Sequence, residues 1–137
     1  HFILLYDSIL HCIIYMIFHI IGLGTTSLNP IAFYKCLSED TRLKCLLLIT
    51  LKGELCVCDL IIALQLSQPK VSRHLAELRK CGILLDNRRG KWVFYQLDQS
   101  LPKWTLEVLA LTSQENQVYL NDCLHNLDAA KPFDNCC

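Results

Sequence analysis

The stretch that most constrains this chain is residues 54–97, where the period of the apolar residues changes twice. Residues 56–65 place Leu60, Ile61 and Leu64 at helical spacing, which predicts a short buried helix. After the turn at Gln65-Leu66, Ser67-Gln68-Pro69 reads as a helix start. Ser67 is a candidate N-cap, and Pro69 sits in the first turn, where its missing N–H costs nothing. Val71, Leu75 and Leu78 then follow at i, i+4 and i+7 and make one buried stripe, and Cys81-Gly82 stops the helix. Two alternating runs at 83–86 and 92–97 come next, joined by Asn87-Arg88-Arg89-Gly90-Lys91, and predict a hairpin with a basic tip. Two short helices about a tight turn followed by a hairpin describe a winged helix-turn-helix. The expected class is therefore mainly α with a small β-hairpin.

The flanks fit that plan. Asn29-Pro30 opens a helix carrying Ile31, Tyr34 and Leu37. Ser38 or Asp40 is expected to cap a second, with Leu43, Leu46, Leu47 and Leu51 as its stripe and Gly53 as its stop. Pro102 opens what reads as one long last helix, with Trp104, Val108, Leu111, Val118, Leu120, Leu124 and Leu127 at apolar positions. The first and last helices hold more apolar residues than a core of this size can cover. Packing them across a two-fold axis would bury the surplus, so a homodimer is expected. The expected boundaries are an apolar extension at 1–27, the winged domain at 28–130, and a mobile cysteine-containing tail at 131–137. No internal repeat or low-complexity segment breaks this plan.

The net charge of the 137 residues is zero, which by itself argues against a partner of one sign. The charge is segregated, however. Residues 67–91 hold seven Lys or Arg against two acidic residues, while residues 98–137 hold two basic against six acidic. With Val71, Leu75 and Leu78 turned inward, the outward side chains of the fourth helix are Gln68, Ser72 and Arg73, with Ser67 and Lys70 beside them. Gln pairs with adenine and Arg with guanine in the major groove, and a helix N-terminus attracts phosphate. Arg88, Arg89 and Lys91 at the hairpin tip can follow the backbone or a minor groove. A solvated basic face is the bland reading of any charge run. Here the helical register, the Ser-Gln-Pro start and the basic hairpin coincide, and favour double-stranded DNA. No nucleophile–base pair or Gly-rich phosphate loop is present, so an enzyme is not expected.

Residues 2–23 are almost wholly apolar and long enough to span a membrane. They contain Asp7, His11 and His19, and no Lys or Arg precedes Lys35, so orienting charges and a basic leader are both missing. Residues 1–15 read as translated upstream sequence that is not native, with Met16, the only methionine, as a start. A membrane anchor and an extra helix are the alternatives. Nine cysteines is an odd number without a disulfide-domain spacing, and Cys36, Cys45 and Cys123 fall on helical apolar positions. Free thiols in a reducing cytoplasmic compartment are therefore expected.

Cys56-Val57-Cys58 stands apart from the rest. Thiols at a helix N-terminus have stabilised thiolates, the form that binds soft ions. Two apolar fillers is the bland reading. On a regular helix, though, i and i+2 lie about 200° apart, so the two would not share one core or easily reach one ion. Holding an ion through both sulfurs should pull the first turn out of shape, and this helix neighbours the one that would read DNA. His74 reads as a packing or phosphate-contacting residue. Asp122 and His125, at i and i+3, read as surface residues rather than zinc ligands.

The stretches ELCVCDL (54–60), SQPKVSRHL (67–75) and RRGKWVFYQL (88–97) resemble the ArsR/SmtB family of metal-responsive repressors, most nearly its arsenic-responsive members. The resemblance covers residues 29–127. It implies a homodimer that represses its own resistance operon by binding operator DNA and leaves it when As(III) or Sb(III) binds, with Cys56 and Cys58 matching the inducer-binding pair. Such members carry a third cysteine three positions after the second, where this chain has Ile61. Cys136 or Cys137 is the candidate third ligand. Cadmium, lead and zinc sensors share the Cys-x-Cys pair and draw further thiols from an N-terminal arm, where Cys12 is the one candidate. Sensing of those ions is the alternative on the same scaffold, and a membrane-tethered or thiol-buffering protein is the reading from another class.

Overall fold

The computed structural model describes residues 28–130, together with Ile13 and Ile17, both helical. The expectations for the rest of 1–27 and for the tail at 131–137, including Cys12, Cys136 and Cys137, lie outside the described residues. Among the described residues no helix is long and apolar enough to cross a membrane.

Helix α1, Pro30–Leu37, starts where expected: the Asn29 side chain accepts the Ile31 N–H at 2.8 Å, and Pro30 follows. Helix α2, Asp40–Lys52, is capped by Glu39 rather than by Ser38 or Asp40. The Glu39 carboxylate accepts the Arg42 N–H at 2.8 Å and sits at the positive end of the helix. Leu46, Leu47, Leu48 and Ile49 are all buried, so α2 is enclosed on more than one face and forms the centre of the domain. Each such side chain contributes about 1.5–3 kcal/mol of burial. Gly53, at φ 84°, ends the helix as expected, in a conformation that a side chain would strain.

A strand that the sequence did not suggest comes next: β1, Leu55–Cys56. Helix α3, Val57–Leu64, follows it directly, with Cys56 as its N-cap. Gln65 takes the left-handed conformation (φ 55°, ψ 41°) and turns the chain into α4, Gln68–Lys80. Ser67 has the extended backbone of an N-cap, but its side chain makes no capping bond. Val71, Leu75 and Leu78 are fully buried, as the stripe predicts. On α3 the buried face is Cys58, Leu60 and Ala63. Ile61 and Leu64 are only half-buried and pack against the edge of the core.

The hairpin is longer than expected. Strands β2, Leu84–Arg89, and β3, Trp92–Leu97, pair antiparallel from Leu84–Leu97 to Arg89–Trp92, leaving Gly90-Lys91 as a two-residue turn with Gly90 at φ 62°. Arg88 and Arg89 therefore lie on a strand rather than in the loop. β1 pairs with the other edge of β3, giving the sheet order β1-β3-β2. The C-terminal part is two helices, not one: α5, Lys103–Glu115, and α6, Gln117–Ala129, divided at Asn116, whose φ of −125° leaves the helical region. Helix α6 packs along α3, and the Asn126 side chain donates to the Ala63 carbonyl at 3.0 Å. Helices α3 and α4 with the β2–β3 wing make a winged helix-turn-helix, as the apolar periods predict.

Candidate nucleic-acid interface and thiol site

The inward stripe of α4 fixes what the helix presents outward. Ser67, Gln68, Lys70 and Arg73 are exposed, and Ser72 is half-buried. The helix has no acidic residue in its first turn, so nothing there offsets the positive field of its N-terminal N–H groups. Among the described residues, neither Lys70 nor Arg73 is tied up in an ion pair. Farther along, Arg79 is held by Asp86 of β2 at 3.0 Å, which joins helix and wing on the side away from the helix start.

The wing's cations divide into two kinds. The Arg89 guanidinium meets the Glu54 carboxylate at 2.6 and 2.7 Å and lies 4.3 Å from the Phe94 ring. It is a clamp between the wing and the segment before β1, and less available to DNA than the sequence suggests. Arg88 is exposed with no ion pair among the described residues, and Lys91 sits at the turn with its ammonium 5.1 Å from the Trp92 ring.

His74 is buried on α4 with Nδ1 3.5 Å from the Glu39 carboxylate and without a hydrogen bond. Burial would raise the Glu39 carboxyl, but the N–H groups of Arg42 and Thr41 and the nearby His74 prevail and hold it below its usual range. His74 thus packs between α4 and the start of α2. Asp122 and His125 are both exposed on α6, in keeping with surface roles.

The thiol pair is arranged differently from the helical expectation. Cys56 lies before α3, in β1, and only Cys58 is in the helix. The 200° offset of a regular helix does not apply across a strand-to-helix junction, so both side chains are buried after all. The Cys56 N–H donates to the Asp59 carboxylate at 2.9 Å, and the Asp59 N–H donates to the Cys56 sulfur at 3.4 Å. Together they form a reciprocal capping box with Cys where Ser or Thr usually stands. A helix start was expected to stabilise a thiolate. Instead burial dominates and pushes the Cys56 thiol up to about 11, even though the Asp59 N–H pulls the other way. Free thiols were expected throughout. Cys36, Cys45, Cys56, Cys81 and Cys123 are free, but Cys58 is disulfide-bonded. Among the described residues no three metal-ligating side chains cluster, and half-buried Ile61 occupies the third thiol's place.

Two connections run outward from this pair. Cys56 is paired with Phe94 of the wing strand, and that ring carries the Arg89–Glu54 clamp. Helix α3, which begins at Cys56, packs on α4. The signal that could have revealed the cap is the Cys-x-x-Asp spacing. Nothing in the spacing marked Glu54, because its partner is 35 residues away.

The chain is 48% identical over 113 residues to the arsenic resistance transcriptional regulator ArsR2 of Pseudomonas putida, covering 80% of this chain and 98% of that protein. The family model described as bacterial regulatory protein, arsR family, matches residues 39–84. This chain belongs to the arsR family. It is a family of transcriptional regulators, not of enzymes. Solved structures agree on the arsR-type winged fold. HlyU from Vibrio cholerae superposes with a TM-score of 0.59 at 28% identity, over 69% of this chain and 98% of its own. The antimony-specific transcriptional repressor AntR superposes with a TM-score of 0.54 at 30% identity, over 64% and 77%. The residues matched by the family model run from the cap of α2 to the first residue of the wing, and so include both the thiol pair and the recognition helix.

Proposed function

We propose that this arsR-family regulator is an arsenic-responsive repressor. It binds operator DNA as a homodimer and releases it when As(III) or Sb(III) is taken by Cys56 and Cys58. The observation that carries the reading is the capping role of Cys56. An ion shared with Cys58 would draw the Cys56 sulfur from its place beside the Asp59 N–H, so occupancy bears directly on the start of α3. Because α3 packs on α4, loss of its first turn shifts the DNA-reading helix, which supplies a two-state element for the ligand to bias. Cys58 must be reduced to serve as a ligand. Relatives named for arsenic resistance and for antimony specificity support the choice of metalloid. Trivalent arsenic favours three thiolates, and Cys136 or Cys137 is the proposed third.

DNA is read by Gln68, Ser72 and Arg73, with Ser67, Lys70, Arg88 and Lys91 on the backbone and Arg89 chiefly holding the wing. Dimerisation is supported by exposed apolar side chains on the first and last helices: Ile31 and Tyr34 on α1, and Leu111 and Val118 on α5 and α6. The rings of Tyr34 on α1 and Trp104 on α5 lie 6.3 Å apart, which sets the exposed side of α1 beside α5. The test is an operator-binding titration of the reduced protein with As(III), Sb(III), Cd(II), Pb(II) and Zn(II) in parallel. Release at the lowest concentrations by As(III) and Sb(III) is expected. Release by Cd(II), Pb(II) or Zn(II) in their place overturns the inducer assignment, and no specific DNA binding overturns the reading as a whole.

A further inference from the structure

A second pair of thiols lies away from Cys56 and Cys58. Cys36, in the last turn of α1, and Cys81, the C-cap of α4, are 45 residues apart in sequence, yet their sulfurs are 2.9 Å apart with the Cys36 thiol donating. Both are free. Cys36 is buried and Cys81 is partly open to solvent. A disulfide requires the sulfurs to close only to about 2.05 Å.

We infer that Cys36 and Cys81 are a disulfide-forming modification site that clamps the end of the recognition helix to α1, and that its co-substrate is a small-molecule disulfide of the glutathione type. The solvent-reachable Cys81 thiolate attacks one sulfur of the reagent, and the reagent's other half leaves as a thiolate. The Cys36 sulfur then attacks Cys81 Sγ. The mixed disulfide breaks, the second reagent thiol leaves, and the Cys36 proton passes to that leaving group. Two electrons move from the protein dithiol to the reagent, which ends as two thiols. The order of attack follows from access. Burial and the neighbouring Cys81 push the Cys36 thiol up to about 12, while the Arg42 guanidinium, bonded to the Cys36 carbonyl at 2.6 Å, works in the opposite direction. The bond with Cys81 disappears once Cys81 is in the mixed disulfide, and this frees Cys36 to react.

Because the sulfurs are already close, the bridge should form with little movement. It would fix the C-terminal end of α4 and close a long loop, which raises the melting temperature. The test uses the full chain incubated with oxidised glutathione, then alkylated and digested with trypsin. The expected product joins peptide 36–42 to peptide 81–88, with loss of both free peptides, and it separates on reduction. Oxidised protein should melt several degrees above reduced protein. Cys36→Ala, a small and well-tolerated replacement in the core, should instead accumulate glutathione on Cys81 and show no rise in Tm. Recovery of both peptides singly alkylated, or linkage of Cys81 to another cysteine, overturns the proposal, as does a Cys36→Ala protein that takes no glutathione at Cys81.

Discussion

Cys56 and Asp59 cap each other: the Cys56 N–H donates to the Asp59 carboxylate at 2.9 Å while the Asp59 N–H donates to the Cys56 sulfur at 3.4 Å. One sulfur thus holds the first turn of α3 and is also a candidate ion ligand. Asp59→Ala removes only the carboxylate half of the box, because the Asp59 N–H that meets the Cys56 sulfur is a backbone group and stays. Asp59→Ala should destabilise the protein by about 1 kcal/mol, seen as a lower midpoint in urea with unchanged slope. An unchanged midpoint would mean that the Asp59 carboxylate contributes nothing to the cap.

Serine keeps the cap and removes the soft ligand. Cys56→Ser should therefore retain operator affinity in fluorescence anisotropy and lose release by As(III). Normal release from Cys56→Ser would remove Cys56 from the inducer site.

The exposed Arg73, like Lys70, is a recognition-helix cation in no ion pair among the described residues. Arg73→Ala should weaken specific binding by about 1–3 kcal/mol, roughly fivefold to hundredfold. Lys70→Ala should weaken specific and non-specific DNA alike and lower the salt slope by about 1. Unchanged affinity for both variants would show that another face reads the DNA.

Burial raises the thiol of Cys45 from 9.0 to about 12 in the folded state. A raised folded-state value stabilises the protonated form, so its contribution is complete below pH 9.0 and is lost as pH climbs from there toward about 12. Thermal melts should fall in that window, and Cys45→Ala should flatten the fall. A variant that declines as steeply as the parent would exclude this origin.

The acid side carries the opposite sign. The Tyr119 hydroxyl donates to the Asp40 carboxylate at 2.5 Å, and this bond first, then Lys44, holds the Asp40 carboxyl below its ordinary 3.8. The resulting stability is present above pH 3.8 and fades as pH drops below it. Tyr119→Phe should lower Tm at neutral pH and soften the acid decline. An acid profile identical to the parent's would show that Lys44 alone sets the Asp40 carboxyl.

Much of the fold was legible because its signals are local. The stripe of Val71, Leu75 and Leu78, the Asn29-Pro30 start and the Gly53 stop each depend on neighbours within a turn or two, and each is found as read. The break at Asn116 was not legible, since apolar spacing continues straight across it. Glu39 is not a cap that residue type points to, because Ser and Asp are commoner there, although any side-chain oxygen in reach of the Arg42 N–H can serve.

The residues of the candidate site were equally local: Cys56, Cys58, Gln68 and Arg73 follow from spacing and register alone. Their condition did not. Strand β1 exists only because Leu55 and Cys56 meet Tyr95 and Phe94 of the distant wing, and that pairing takes Cys56 out of the helix. Cys56 is buried there, and burial outweighs the helix end to keep its thiol protonated. Arg89 reads as a DNA contact until Glu54 is found beside it, and Cys36 reads as an apolar helix position and Cys81 as part of a helix stop until α1 and α4 bring their sulfurs together. The sequence by itself determined the helix-turn-helix, the wing and the chemical character of the Cys56-Cys58 pair and the recognition helix, because period and side-chain chemistry are properties of short segments. Tertiary structure alone decided which groups are desolvated and which distant partners meet, because those depend on surfaces brought together only by folding.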